Sequence, residues 1–194
     1  IKNNYCIAYF GGSNEYLTQL RLLRPFIEQK FQELNIYYCC KDECIKYLKN
    51  DKLSITISEL RLRKNEFAHI KELTFNGQNH PILDLLQEAK IENCTLPIEP
   101  ALEFTNICLI KTNGNYPTGN LLKSQIKTLQ KIAFQNGFKV EIDGDWQNAG
   151  IVYGVESVEL FEAAARGIKS YLIPTGNGEQ LFKKMFKNGE ILHI

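Results

Sequence analysis

Three short stretches of this chain carry side chains that could do chemistry, and each stands where an apolar, strand-like run gives way to a helical pattern. The first is GGSNEY, Gly11 to Tyr16. Glycines such as Gly12 let a backbone approach a ligand, Ser13 and Asn14 offer donors and acceptors, and Glu15 places a carboxylate at a helix start. The same residues suit a plain helix cap, with Ser13 or Asn14 as the cap and Glu15 favourable to the helix dipole. The spacing is not G-x-G-x-x-G, so a dinucleotide fingerprint is absent.

The second stretch is NGNYPTGN, Asn113 to Asn120. Backbone amides near Gly119 and Asn120 and the Thr118 hydroxyl suit a phosphate, and Lys111 and Lys123 could offset its charge. No G-K-[ST] follows, which argues against an NTPase P-loop. A simple connecting loop fits equally. The third stretch sets Glu156, Ser157 and Glu159 after VYG, followed past the next strand by Pro174, Thr175, Gly176 and Asn177. A carboxylate at a helix N-terminus can accept hydrogen bonds from a ribose diol or a sugar. The alternative is that Ser157 caps the helix and both glutamates are solvated first-turn residues. Trp146 and Tyr153 offer either a stacking surface or core, and Asp143 and Asp145 flank a turn glycine.

The elements that must position these stretches follow from periodicity. YCIAYF reads as a strand, and Leu20, Leu23, Ile27, Phe31 and Leu34 recur at helical steps after it, with Pro25 expected to kink that helix or to mark its first turn. NIYYCC is a second strand and KDECIKYLKN a short amphipathic helix. LSITIS alternates as a strand, the charged run to Phe75 suits helix or strand, and HPILDLLQEAKIE reads as a helix with Pro81 in its first turn. NCTLPIEPALEFTN has two prolines and no period, and reads as a linker. The second half repeats the plan: NICLIKT, a polar loop, a helix ending at Gly137, the strand KVEID, and then the unit Gly150 to Pro174 with a turn at Gly154 and a helix stop at Gly167. Asn177 and Gln180 have capping-box spacing before a last helix and the strand-like ILHI. The pattern predicts an α/β protein of two small Rossmann-like domains with parallel sheets, residues 1–100 and 101–194.

Composition narrows the classes. The chain has 194 residues with 44% hydrophobic content, and 23 basic against 22 acidic side chains leave a net charge of +1. Such a balance gives no broad field for nucleic acid or an anionic membrane. No apolar run reaches the roughly 18 residues of a membrane span, so a cytoplasmic protein is expected. Six cysteines are present, but Cys6 and Cys108 lie in apolar runs and CCKDEC lacks paired C-x-x-C spacing. Reduced cysteines and no metal site are the expectation.

With both halves in view, the chain resembles glycosyltransferases of the two-Rossmann-domain kind (GT-B), nearest in pattern to the heptosyltransferase-like family. The resemblance is most specific in VYGVESVELFEAAARGIKSYLIPTG, where a strand, a Gly-x-[acid]-Ser turn, a helix and a second strand ending in Pro-Thr follow one another. The loop Asn113 to Asn120 stands at the place of that family's phosphate-contacting loop, and Glu15 nearest its catalytic aspartate. Two positions depart: Asn14 and Glu15 replace a Gly-Asp pair, and Leu160 and Phe161 stand where a histidine usually opens the helix. The resemblance implies sugar transfer from a nucleotide-sugar donor to an unidentified acceptor, with no metal and no cofactor. Glu15 would be general base. Thr118, Gly119 and Asn120 would hold the diphosphate, and Glu156 and Ser157 the ribose or sugar, with Gly12, Ser13, Asn14, Tyr153 and Thr175 completing the substrate contacts. The other reading is a non-catalytic module that keeps the fold and binds a nucleotide sugar or a protein.

Overall fold

The computed structural model describes residues 3–49, 51–75, 79–95, 105–114, 119–175 and 178–194. Thr118, the expected cap Asn177 and the middle of the Pro-containing linker lie outside the described residues. The chain divides into two compact units, Ile1–Glu92 and Asn93–Ile194. Each is built on its own parallel sheet.

Unit 1 runs β1 (Asn3–Tyr9), α1 (Asn14–Lys30), β2 (Leu34–Cys40), α2 (Ile45–Leu48), β3 (Ser54–Thr56), α3 (Ile57–Arg63), β4 (His69–Leu73) and α4 (Pro81–Glu88), with sheet order β3-β2-β1-β4. Crossovers between parallel strands are right-handed, so the run from β1 to β3 and the return from β3 to β4 place α1 and α3 on opposite faces. Strand alternation matches. Cys6, Ala8, Cys39 and Ile55 form one core cluster with Leu60 of α3. Ile7 and Tyr9 point the other way, toward the face of α1, whose Leu17, Leu20, Leu23 and Ile27 are fully buried.

Pro25 does not mark the first turn of α1: it lies exposed inside the helix. One residue earlier, Arg24 is buried and clamps the helix to the β2–β3 region. Its guanidinium lies 4.4 Å over the Tyr38 ring, donates to Ser54 Oγ at 3.1 Å and pairs with Asp51 at 3.1 Å. A buried cation needs such partners, because leaving it unpaired carries a large desolvation cost. The strand expected over LSITIS is cut short at Thr56, whose hydroxyl accepts from the Glu59 amide at 3.2 Å and caps α3.

Unit 2 runs β5 (Ile107–Lys111), α5 (Lys123–Gln135), β6 (Lys139–Ile142), β7 (Ile151–Gly154), α6 (Val158–Ala165), β8 (Lys169–Leu172), α7 (Gly178–Met185) and β9 (Gly189–Ile191), with order β6-β5-β7-β8-β9. The chain moves one way from β5 to β6 and the other way from β7 to β9, which puts α5 on one face and α6 and α7 on the other. Cys108, Ile110, Leu129, Ala133, Tyr153 and Val155 share the core cluster on the α5 side. Phe161 of α6, Phe182 of α7 and Phe186 just after it pack edge to face with centroids 5.3 to 5.7 Å apart.

Gly154 is the last residue of β7 rather than a tight turn. A Cβ there would sit 2.8 Å from Lys111 Cβ and 3.2 Å from the Lys111 carbonyl oxygen, so the close approach of β5 demands glycine. All six cysteines are free and buried. Among the described residues no helix is long and apolar enough to cross a membrane.

Candidate functional site

Open parallel sheets bind ligands outside the carboxyl ends of their strands, where two neighbouring strands send their connections in opposite directions. In unit 1 that switch lies between β1 and β4, and in unit 2 between β5 and β7. The described residues of the three stretches singled out by sequence follow the strands of these two edges.

At the unit 1 edge, β1 ends in Tyr9 and the chain turns through Gly11 and Gly12 into α1. Gly12 is exposed, with nothing within 4 Å of the place a Cβ would take. Ser13 is the N-cap and its Oγ accepts from the Tyr16 amide at 3.5 Å. The Ser13 hydroxyl lies 3.4 Å from Glu15 Oε2, and its amide donates to the Tyr9 phenol at 3.4 Å. Asn14 is half-buried, and Glu15 is 2% exposed. Tyr16 packs against Tyr9, Phe75 and His80 at centroid distances of 5.8, 6.0 and 4.9 Å. His80 caps α4 by accepting from the Leu83 amide at Nδ1, 3.2 Å away. Burial, above all, raises the Tyr9 phenol above its ordinary pKa, which keeps it a neutral donor and acceptor.

At the unit 2 edge, Ser157 is the N-cap of α6 and accepts from the Leu160 amide at 3.2 Å, wholly buried. Glu156, one residue before it, is 6% exposed, which departs from the expectation of a solvated first-turn carboxylate. Lys111, closing β5, lies 3.6 Å from Glu159 and 3.9 Å from Asp143. Asp143 in turn accepts from the Thr112 amide at 2.8 Å and from its hydroxyl at 2.5 Å. Gly119 comes within 3.9 Å of Thr175, measured from the place of its Cβ, and Asn120 bridges to Asn113 in antiparallel fashion. The connection leaving β5 therefore touches the one leaving β8, across the end of the intervening β7. Glu156 and Ser157 follow the end of that same β7. Tyr153 is apart from them: its ring is buried and stacked at 4.8 Å on Tyr171, and burial pushes its phenol up to about 12.

Sequence reasoning passed over the parts of these edges that neighbouring strands supply. Asp143, a turn residue by its sequence neighbours, holds Thr112 and approaches Lys111. His80 and Tyr9, which enclose the start of α1, carried no motif.

At the level of sequence, no family model and no curated protein matches the chain. A solved structure does match in fold: the bacterial iron-containing dodecameric glycosyltransferase TibC from enterotoxigenic E. coli H10407, at 10% identity and a TM-score of 0.58, covering 89% of this chain. The two share an α/β fold. This chain spans 59% of the length of TibC. Iron and the dodecamer are properties of that protein; among the described residues here, no three His, Cys, Asp or Glu side chains gather as a metal-ligand set.

Proposed function

We propose that the chain transfers a sugar from a nucleotide-sugar donor to an acceptor hydroxyl, in the manner of heptosyltransferase-like enzymes. The observation that carries the reading is the approach of Gly119 to Thr175, together with the burial of Glu156 and Ser157, which lead from β7 into α6. In this reading the donor sits at that edge. Glu156 accepts from the ribose or sugar hydroxyls, and backbone amides at Gly119 and Asn120 offset the leaving diphosphate, with Thr118 completing the loop. Glu15 takes the acceptor proton as general base.

The burial of Glu15 favours a second reading. A general base must come within about 2.6–3.2 Å of the proton it removes, and this carboxylate is 2% exposed. A module that binds a nucleotide sugar without transferring it fits that enclosure. One pair of measurements separates the two. A ligand that binds only the folded state raises apparent stability, by about 2.7 kcal/mol at a hundred times its Kd, so nucleoside diphosphates and nucleotide sugars are screened by thermal shift. Release or transfer of labelled sugar is then followed with each ligand that stabilises. Stabilisation with transfer supports the first reading, and stabilisation without it the second. If no nucleotide or nucleotide sugar stabilises the protein, both are wrong.

A further inference from the structure

A second candidate binding site lies in unit 1, on the face of its sheet that α1 and α4 cover. A cavity of about 110 Å³ opens there among side chains of β1, β2 and β4. Its floor is apolar, made by Ile7, Leu34 and Ile36 from the sheet and by Phe31 and Leu85 beyond the strands. Its rim is polar, with Tyr5, Lys71 and Glu88. Tyr5 stands four residues before the end of β1, roughly 13 Å from the switch edge at about 3.3 Å per residue. The cavity is therefore separate from the edge where Ser13 and Glu15 lie.

The chemistry of the rim states what would fit. Lys71 is mostly enclosed, its side chain 22% exposed, whereas its partner Glu88 at 2.5 Å is 66% exposed. Glu88 is the more exposed partner of that pair. An ammonium has three donors, and a second carboxylate on the cavity side can accept another. The Tyr5 phenol lies close enough to feel both charges, and burial, its main influence, raises its pKa, so it remains a neutral donor. One water-sized group needs at least about 10–15 Å³ of such volume, so this cavity has room for several.

We propose that this cavity binds a small amphiphilic carboxylate, its apolar tail on Ile7 and Ile36 and its carboxylate between Lys71 and Tyr5. The probes are hexanoate, hexan-1-ol and hexylammonium, titrated against the whole chain by calorimetry with amide chemical shifts read at residues 5–7 and 71. Hexanoate is expected to bind about tenfold more tightly than hexan-1-ol, the difference a charge-assisted hydrogen bond commonly makes. Hexylammonium should bind least, and Lys71→Met should bring hexanoate down to the level of the alcohol. Ile36→Phe, which fills the floor, should abolish both. The proposal is overturned by equal binding of acid and alcohol, by tighter binding of the amine, by hexanoate shifts confined to other residues, or by unchanged binding in Ile36→Phe. The three-probe comparison on the unsubstituted protein decides the matter even where a variant fails to fold.

Discussion

The two switch edges use the same local grammar and end in different environments. Each begins a helix with a serine cap and places a glutamate two residues later: Ser13 with Glu15 in unit 1, Ser157 with Glu159 in unit 2. In unit 1 the glutamate is enclosed, 2% exposed, beside a wall of Tyr9, Tyr16 and His80. In unit 2 its counterpart is 38% exposed in its side chain and faces Lys111. The helix starts do not make the difference. It comes from the strand ends beside each one: β1, which leads into α1, ends in Tyr9, whereas β5, the neighbour of the strand that leads into α6, ends in Lys111. A cap motif therefore locates an edge, and the adjoining strand ends decide what that edge can bind.

The largest expected contrast is catalytic. If the first reading of function holds, Glu15→Gln should lower turnover by about 10²–10⁴-fold while leaving donor Kd unchanged, because loss of a general base is felt in proton transfer. Glu159→Gln, which only releases Lys111 from one partner, should change turnover less than about tenfold. Single-turnover rates and donor titrations on both variants check this. Equal losses would erase the functional distinction between the two glutamates.

Next in size is a packing contrast between two glycines. At Gly154 a methyl group would meet Lys111 Cβ at 2.8 Å and the strand's carbonyl oxygen at 3.2 Å, so Gly154→Ala should cost about 1–3 kcal/mol. At Gly12 nothing stands within 4 Å, so Gly12→Ala should stay within about 0.5 kcal/mol. Urea melts of both variants test it. A larger loss at Gly12 would mean that the unit 1 turn is tighter than its open surroundings indicate.

Much of the fold was legible because each stretch obeyed one period. The helical steps of Leu20, Leu23 and Ile27 and the apolar runs of β1, β5 and β7 are buried where their spacing placed them. The region after Asp51 resisted because a short strand runs directly into a helix. There Thr56 and Glu59, whose hydroxyl and carboxylate also lie 3.5 Å apart, are a capping-box signal that could have set the boundary. At the candidate site, Ser13 and Ser157 were readable as caps from their neighbours alone. The burial of Glu156 and the contact of Asp143 with Thr112 were not, since each depends on which strands lie side by side. Residues 111 and 143 are brought together by the pairing of β5 with β6, a long-range fact no local spacing contains.

The caps themselves give a smaller contrast. Ser157 is fully buried and bonds at 3.2 Å, whereas the Ser13 bond is 3.5 Å long. Serine caps contribute about 0.5–2 kcal/mol, so Ser157→Ala should fall toward the upper end and Ser13→Ala toward the lower. Melts of the two variants in one buffer rank them, and the reverse order would mean that Ser13 stabilises through Tyr9 and Glu15 more than through its cap.

The smallest contrast is electrostatic and sets one ion pair of each unit against the other. Burial works against ionisation of Asp51, but the hydrogen bond and charge of Arg24 and the Leu53 amide outweigh it and hold the carboxyl below its ordinary value of 3.8. Glu190 is likewise held below 4.5, chiefly by its hydrogen bond to Lys169 at 2.7 Å. A carboxyl whose folded pKa is depressed contributes stability that is fully present above its unfolded pKa and is lost as pH falls through the folded one. Both contributions should therefore be intact at pH 6 and fade below about pH 4. They should differ in salt. Lys169 and Glu190 are 42% and 48% exposed, whereas Arg24 is 8% exposed. Screening at about 1 M salt, where the Debye length is about 3 Å, acts mainly on exposed pairs. At pH 6, Asp51→Asn should lower the unfolding midpoint in low and high salt alike, while the slight effect of Glu190→Gln should vanish in high salt. A salt-sensitive Asp51→Asn would show that the Arg24 clamp is open to solvent and that the two pairs are of one kind.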